Sequence, residues 1–238
     1  MRFAMSDLKE LLASETLPLL ANENLIGIGT GRTARTLIEK ININKELFIN
    51  KKFITSSIDS EIRLSNYGFN VLSLYIGVRP DIYVDSFDSL LLQKDINNSV
   101  MIKGGGAALF REKILASYSK HRVYIGEYTK IINRNSSIKI PIEVLPVAHK
   151  YVIDSLKEKG IEAKPRESDG KIGSVFSDNG NMILDLEIKN EIDLCELDKK
   201  LKNITGILET GIFCSNLIDK IVIARKEDEI EIVEKSSK

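Results

Sequence analysis

Apolar and polar positions along this chain follow two periods, and the places where one gives way to the other mark its elements. Leu8, Leu11 and Leu12 share one face of a helix that Ser6 or Asp7 can cap, with Asp7 and Glu10 at capping-box spacing, and that ends before Asn22 to Asn24. Leu25, Ile26 and Ile28 make a short buried strand that runs into a glycine-rich turn, after which Ala34, Leu37, Ile38 and Ile41 recur at helical spacing. A strand near Phe53 to Thr55, a helix from about Asp59 to Tyr67, and strands near Val71 and at Ile82 to Val84 follow. A second glycine-rich turn after Lys103 opens a helix through Ala108, Leu109, Ile114 and Leu115, and Val123 to Ile125 reads as the next strand. This alternation predicts an α/β fold, a Rossmann-like and mostly parallel sheet with helices on its faces.

From about Ile140 the pattern changes. A strand at Ile142 to Leu145, a helix with Val147, Tyr151, Val152 and Leu156, and a strand near Ala163 are followed by a hairpin signal, Val175 and Phe176 leading through Asn179-Gly180 to Met182 and Leu186. A helix from about Asp193 to Leu201 and a strand at Ile207 and Leu208 complete a split β-α-β unit, predicting an inserted small ferredoxin-like α+β domain. Ile221 to Ala224 and Ile230 to Val233 predict a hairpin returning to the large sheet, with the charged run Arg225 to Glu229 as its solvated turn. The expected division is residues 1–131 with 207–238 as the Rossmann-like catalytic domain, and 132–206 as the small domain.

Composition narrows the function. The 34 basic and 34 acidic side chains cancel, which removes the electrostatic case for nucleic acid or a membrane surface and leaves a small molecule as the expected partner. Cys195 and Cys214 form no C-x-x-C or Cys/His cluster, so neither a disulfide framework nor a metal site is expected, and both read as buried small hydrophobes in a cytoplasmic protein. No apolar run approaches the roughly 20 residues that span a bilayer, and the start lacks a signal-peptide pattern. His121 and His149 are isolated and receive no role.

Two constellations carry chemistry. Gly27-Ile28-Gly29-Thr30-Gly31-Arg32-Thr33 lies between a strand and a helix, where free backbone N–H groups and the helix dipole favour a phosphate. It fits neither the Walker spacing nor the full dinucleotide pattern, which disfavours ATP and NAD. The alternative is a tight turn with no ligand; Thr30 and Thr33 favour the phosphate, and Arg32 either touches it or faces solvent. The second constellation begins with Asp85 and Asp88 at the carboxyl end of a strand, where open α/β sheets place their chemistry. Lys103-Gly104-Gly105-Gly106 then brings a lysine and backbone donors to a helix carrying Glu112 about two turns in. Proton abstraction beside a carbonyl needs such a base and such donors.

At these residues the chain resembles the type A ribose-5-phosphate isomerases, and the likeness runs over nearly its whole length. Besides the segments just named, Lys130, Pro141-Ile142-Glu143-Val144-Leu145-Pro146, Arg166, Asp178-Asn179-Gly180-Asn181 with Asp185, and Glu209-Thr210-Gly211-Ile212-Phe213 come in the family's order. The resemblance implies interconversion of D-ribose 5-phosphate and D-ribulose 5-phosphate through a cis-enediolate, in the non-oxidative pentose phosphate pathway, without cofactor or metal. It implies Glu112 as the proton shuttle, Asp85 and Asp88 on hydroxyl protons and ring opening, and Lys103 with Gly104, Gly105 and Gly106 at the oxyanion. Lys9, Gly29, Thr30, Gly31, Arg32, Thr33 and Lys130 are then expected at the phosphate, and the assembly is expected to be a homodimer or homotetramer.

Three positions depart from the family pattern. Its usual D-G-A-D-E reads Asp85-Ser86-Phe87-Asp88-Ser89, so Phe87 is expected to narrow or reshape the pocket. About five extra residues between Asp88 and Lys103, including Asn97 and Asn98, predict a longer surface loop, which costs little. Arg32 stands where serine is usual. These departures leave room for a catalytically silent sugar-phosphate sensor on the same scaffold. A third reading, an acyl or CoA transferase, is disfavoured.

Overall fold

The computed structural model describes residues 5–133, 137–188, 192–226 and 229–235; the side chains of residues 5–7, 171 and 226 lie outside that description. The first helix already includes Met5, so Ser6 and Asp7 lie inside it and neither is its cap; the middle of the charged run, 227–228, falls outside the description.

The chain opens with α1 (Met5–Ala21), β1 (Leu25–Ile28), α2 (Arg32–Ile43) and the short α3 (Lys45–Phe48). It continues through β2 (Lys52–Thr55), α4 (Ile58–Asn66), β3 (Asn70–Leu72) and β4 (Ile82–Ser86). Next come β5 (Ser89–Leu91), β6 (Val100–Ile102), α5 (Leu109–Tyr118) and β7 (His121–Glu127). The second part holds β8 (Ile138–Val144), α6 (His149–Glu158), β9 (Glu162–Pro165), β10 (Glu167–Ser168), β11 (Lys171–Ser174) and β12 (Met182–Ile188). It closes with α7 (Leu194–Lys202), β13 (Ile207–Thr210), β14 (Ile212–Cys214), β15 (Lys220–Lys226) and β16 (Glu229–Glu234).

Seven strands form the main sheet in the order β16-β15-β7-β4-β1-β2-β3. All its pairings are parallel except that of β15 with β16, the expected hairpin. Alternation along each strand divides the apolar residues between two faces. Ile82, Val84, Val123, Ile125 and Val222 pack with Leu12, Leu20, Leu37 and Ile41 of α1 and α2. Tyr83, Tyr124, Ile221 and Ile223 turn the other way, onto Phe87, Leu90, Met101 and Phe213. The same period puts Asp85 on the face of Tyr83, so the carboxylate is committed to the side on which the site is built.

The four-stranded antiparallel sheet has the order β13-β8-β12-β9, the strand order of a ferredoxin-like β-α-β-β-α-β unit. Asp193 caps α7 by accepting from the N–H groups of Cys195 and Glu196 at 2.9 and 3.1 Å, and Lys199, Lys200 and Lys202 complement its last turn. β13 pairs with β8, so this sheet continues past the boundary drawn at 206.

Several expectations are corrected. β14, β6 and β5 form a separate three-stranded antiparallel sheet that no periodicity in the sequence announces. The longer surface loop expected after Asp88 stands as the connection between β5 and β6, with Asn97 and Asn98 exposed at its tip and Ile96 buried. The Asn179-Gly180 signal produces a tight turn with only a single bridge, Phe176 to Met182, and the long partners of β12 are β8 and β9. Cys195 and Cys214 are bonded to each other and half-buried, tying α7 to β14; their spacing of 19 residues carries no disulfide signature. No helix among the described residues is long and apolar enough to cross a membrane.

Candidate active site

The carboxyl ends of β1, β4 and β7 meet at a cleft of about 470 Å³. Of the residues singled out in the sequence, Lys9, Thr30, Gly31, Arg32, Thr33, Asp88, Lys103, Gly104, Gly105, Gly106, Glu112 and Lys130 line it, joined by Ser86 and Glu127. Asp85 and Gly29 do not reach its wall.

Their absence has one cause. Gly29 N donates to Val84 O at 2.9 Å, holding β1 tight against β4, and a Cβ on Gly29 would fall 1.9 Å from the Asp85 carboxyl group. Asp85 therefore lies under the glycine turn, 1% exposed. It accepts from the Tyr83 hydroxyl and, at 2.7 Å, from Ser86 N, and pairs with Lys103 Nζ at 2.8 Å.

Lys103, at the end of β6, is buried beside Tyr124 and Phe213. It donates to Ser86 O at 2.5 Å and stands 3.4 Å from Glu112 Oε2. Burial opposes its charge, but Asp85, Glu112 and Asp88 outweigh that and raise its pKa above the ordinary lysine value. Glu112 sits in the first turn of α5, nearer the helix start than expected. Gly104 (φ 95°) and Ala107 (φ 61°) bend the chain sharply ahead of that helix. Burial pushes the Glu112 pKa up to about 8; Lys103 opposes the rise, and Asp85 and Asp88 add to it.

Asp88 is held by a 2.6 Å bond from Gly105 N. At the other end of the cleft, Gly31, Arg32 and Thr33 open α2. Thr30 Oγ1 accepts from Ser57 Oγ at 2.8 Å, and Ser60 Oγ donates to Gly29 O at 2.7 Å, so α4 braces the turn. Lys9 of α1 and Lys130 converge on Glu127, at 3.0 and 3.3 Å. Burial works against the Glu127 charge, yet Lys130 and Lys9 hold its pKa below the usual range. Lys130 also donates to Phe87 O at 2.8 Å, so the carbonyls of Ser86 and Phe87 each take one lysine. Arg32 is exposed at the rim. Sequence reasoning missed Glu127, because a single glutamate at a strand end carries no pattern of its own; its place three residues before Lys130 was the available signal.

Phe87 is fully buried and lines no part of the cleft. Its ring lies against Gly126 of β7, where a Cβ would come within 2.5 Å of the ring. The expectation that Phe87 narrows the pocket is overturned, because the glycine beside it leaves room for the ring inside the protein. Among the described residues no group of three or more His, Cys, Asp or Glu is placed to hold a metal ion.

Comparison with known proteins identifies the family and the fold. A model of the family described as ribose 5-phosphate isomerase A (phosphoriboisomerase A) matches residues 52–228. The chain is 34% identical to the ribose-5-phosphate isomerase A of Francisella tularensis subsp. novicida over 231 residues, 95% of this chain and 96% of that one. It is similar to the ribose 5-phosphate isomerase A structure from Methanocaldococcus jannaschii, with a TM-score of 0.87, 31% identity, and coverage of 98% and 100% of the two chains. A D-ribose-5-phosphate isomerase solved in complex with phospho-erythronic acid matches with a TM-score of 0.87, 26% identity, and coverage of 98% and 100%.

Proposed function

Because the chain belongs to the ribose 5-phosphate isomerase A family and is an aldose-ketose isomerase, we propose that it interconverts D-ribose 5-phosphate and D-ribulose 5-phosphate with Glu112 as the proton shuttle. The observation that carries this is a buried carboxyl group poised near neutral pH, 3.4 Å from a lysine whose charge is secured.

In the aldose-to-ketose direction the Glu112 carboxylate takes the proton from C2 of the open-chain sugar. The bonding pair forms the C1–C2 double bond, and the carbonyl pair moves onto O1, giving a cis-enediolate. Lys103 and the N–H groups of Gly104 and Gly106 meet that charge, while the N–H of Gly105 between them holds Asp88. A proton moves from O2 to O1 with the help of Asp88 on the cleft wall, and Glu112 returns its proton to C1. Asp85, beneath the surface, holds Lys103 ionised and aimed. The phosphate lies at the N-terminus of α2, against Thr30, Gly31, Arg32 and Thr33, with Lys9 and Lys130 at its flank. No cofactor takes part in these steps. Burial of Phe87 and retention of both aspartates leave the silent-sensor alternative without an observation in its favour.

The assignment includes a homodimer or homotetramer, read from the family likeness, and a cytoplasmic location, read from the cysteine usage and the lack of a signal or spanning segment in the sequence. It also includes a catalytic unit of residues 1–131 with 207–238 and a small unit, 132–206, whose sheet takes its edge strand β13 from beyond that boundary. Sedimentation of the purified protein tests the assembly. Activity is tested by following ribulose 5-phosphate formation from ribose 5-phosphate with EDTA present. Turnover in wild type and its collapse in Glu112→Gln are expected; a folded wild type that binds the sugar phosphate without turning it over overturns the reading.

A further inference from the structure

Arg166 and Asp185 belong to the segments that carry the resemblance, yet the steps above give them nothing to do. Arg166 follows β9 at the rim of the small sheet and is mostly buried. Its Nη1 donates to two backbone carbonyls of the glycine loop, Gly104 O at 2.8 Å and Gly105 O at 3.0 Å. The rest of the guanidinium grips Asp185 of β12, Nε to Oδ2 at 3.0 Å and Nη2 to Oδ1 at 2.5 Å. Asp185 also takes Lys139 at 2.9 Å.

A trans peptide unit is planar, and its C=O and N–H point in opposite directions. Whatever holds the carbonyls of Gly104 and Gly105 therefore also aims the N–H groups of Gly105 and Gly106. The first of these donates to Asp88 at 2.6 Å. The second has no acceptor among the described residues, in a residue that lines the cleft. A cation on the carbonyl side also polarises both peptides and strengthens their N–H groups as donors.

On the reading of this cleft as an isomerase site, we propose that Arg166 is a positioning residue for the proton transfer. Anchored by Asp185, it fixes the two peptide units that follow Gly104, so that one N–H holds Asp88 and the next is presented to the developing enediolate. The small sheet thereby contributes the orientation of the oxyanion donors without touching substrate.

The test compares wild type, Glu112→Gln and Arg166→Lys by steady-state kinetics, with affinities for phospho-erythronic acid and inorganic phosphate. The first ligand is a sugar-acid phosphate whose carboxylate resembles the enediolate; the second reports the phosphate end alone. Lysine keeps the charge but cannot span two carbonyls and a carboxylate from one rigid fork. Arg166→Lys is expected to lose about 100-fold in kcat, the scale of a misplaced or missing oxyanion donor. KM is expected to stay within about threefold, as for loss of an interaction made in the transition state. Affinity for phospho-erythronic acid is expected to fall while that for inorganic phosphate holds. Wild-type kcat in a folded Arg166→Lys overturns the inference, as does an equal loss of affinity for both ligands, which indicates general damage to the cleft. If Arg166→Lys does not fold, Asp185→Asn is read by the same criteria. The two readings fail separately: an inactive wild type removes the isomerase assignment and this inference with it, an active Glu112→Gln removes Glu112 as the proton shuttle, and an unaffected Arg166→Lys beside an active wild type removes only this inference.

Discussion

Among single residues, Glu112 gives the sharpest expectations. Only its ionised form can take a proton from carbon, and its pKa is raised to about 8. The kcat/KM of the free enzyme should therefore fall about tenfold per pH unit below that value, measured as a pH–rate profile. Glu112→Gln should lower kcat by roughly 10²- to 10⁴-fold, the usual contribution of a general base. Stability should respond in the opposite sense. A group whose folded pKa lies above its unfolded value contributes stability that is present below the unfolded pKa and lost as pH rises through the folded one. Thermal melts should accordingly show Glu112→Gln gaining on wild type from about pH 4.5 up to about pH 8, with the difference level above that. Phe87 gives a packing expectation. Gly126→Ala should destabilise by about 1–3 kcal/mol through overpacking, and Phe87→Ala in the same chain should recover part of that loss, in contrast to the additivity of independent sites. Lys103 and Glu112 were legible because a glycine run and a helix start frame them. Glu127 and the burial of Asp85 were not, since both depend on which strands become neighbours.

At the level of elements, segments that alternate strand with helix could be read, even the three-residue β3, and short strands outside that alternation could not. α2, α4 and α7 declare themselves through apolar spacing, with caps at Ser57 and Asp193 for the latter two. β5, β6 and β14 have three residues each, too few to show a period, and together they form the sheet that carries Lys103 toward the cleft. The bond between Cys195 and Cys214 ties that sheet to α7. Closing a loop of this length is worth about 3 kcal/mol in the chain-entropy account. Cys195→Ser, or reductant in excess, should lower the denaturation midpoint accordingly, whereas quantitative alkylation of both thiols in protein isolated without reductant would show that the bond does not form in the cell. The Asn179 turn, weak as a hairpin, is strong as a clasp. Arg111 donates to Asn179 Oδ1 at 2.6 Å and to Asp178 O at 3.0 Å, and Ile58 N donates to Asp178 at 2.8 Å. Glu143, buried, gathers Ser177, Asn179 and Asn181 onto one oxygen. Glu143→Gln should loosen this clasp, seen as faster amide exchange across 177–181, with Glu112 chemistry intact.

For the whole molecule, the change from alternating strands and helices to an antiparallel pattern near Ile140 was visible in sequence, and so was the return of the final hairpin. What sequence could not supply was the order of strands across the sheet, because pairing partners far apart in the chain leave no local mark. That order bears on how the protein is made. β7 pairs with β4, already present when it is synthesised, and with β15, which is separated from it by residues 128–219. During synthesis one full edge of β7 stays open while the entire four-stranded unit is built, an exposed row of backbone groups that invites wrong pairing. The wall that carries Glu127 is therefore bare on one side until the second unit has left the ribosome. Until then the most exposed edge of the nascent chain runs beside Glu127 and Lys130, which line the cleft.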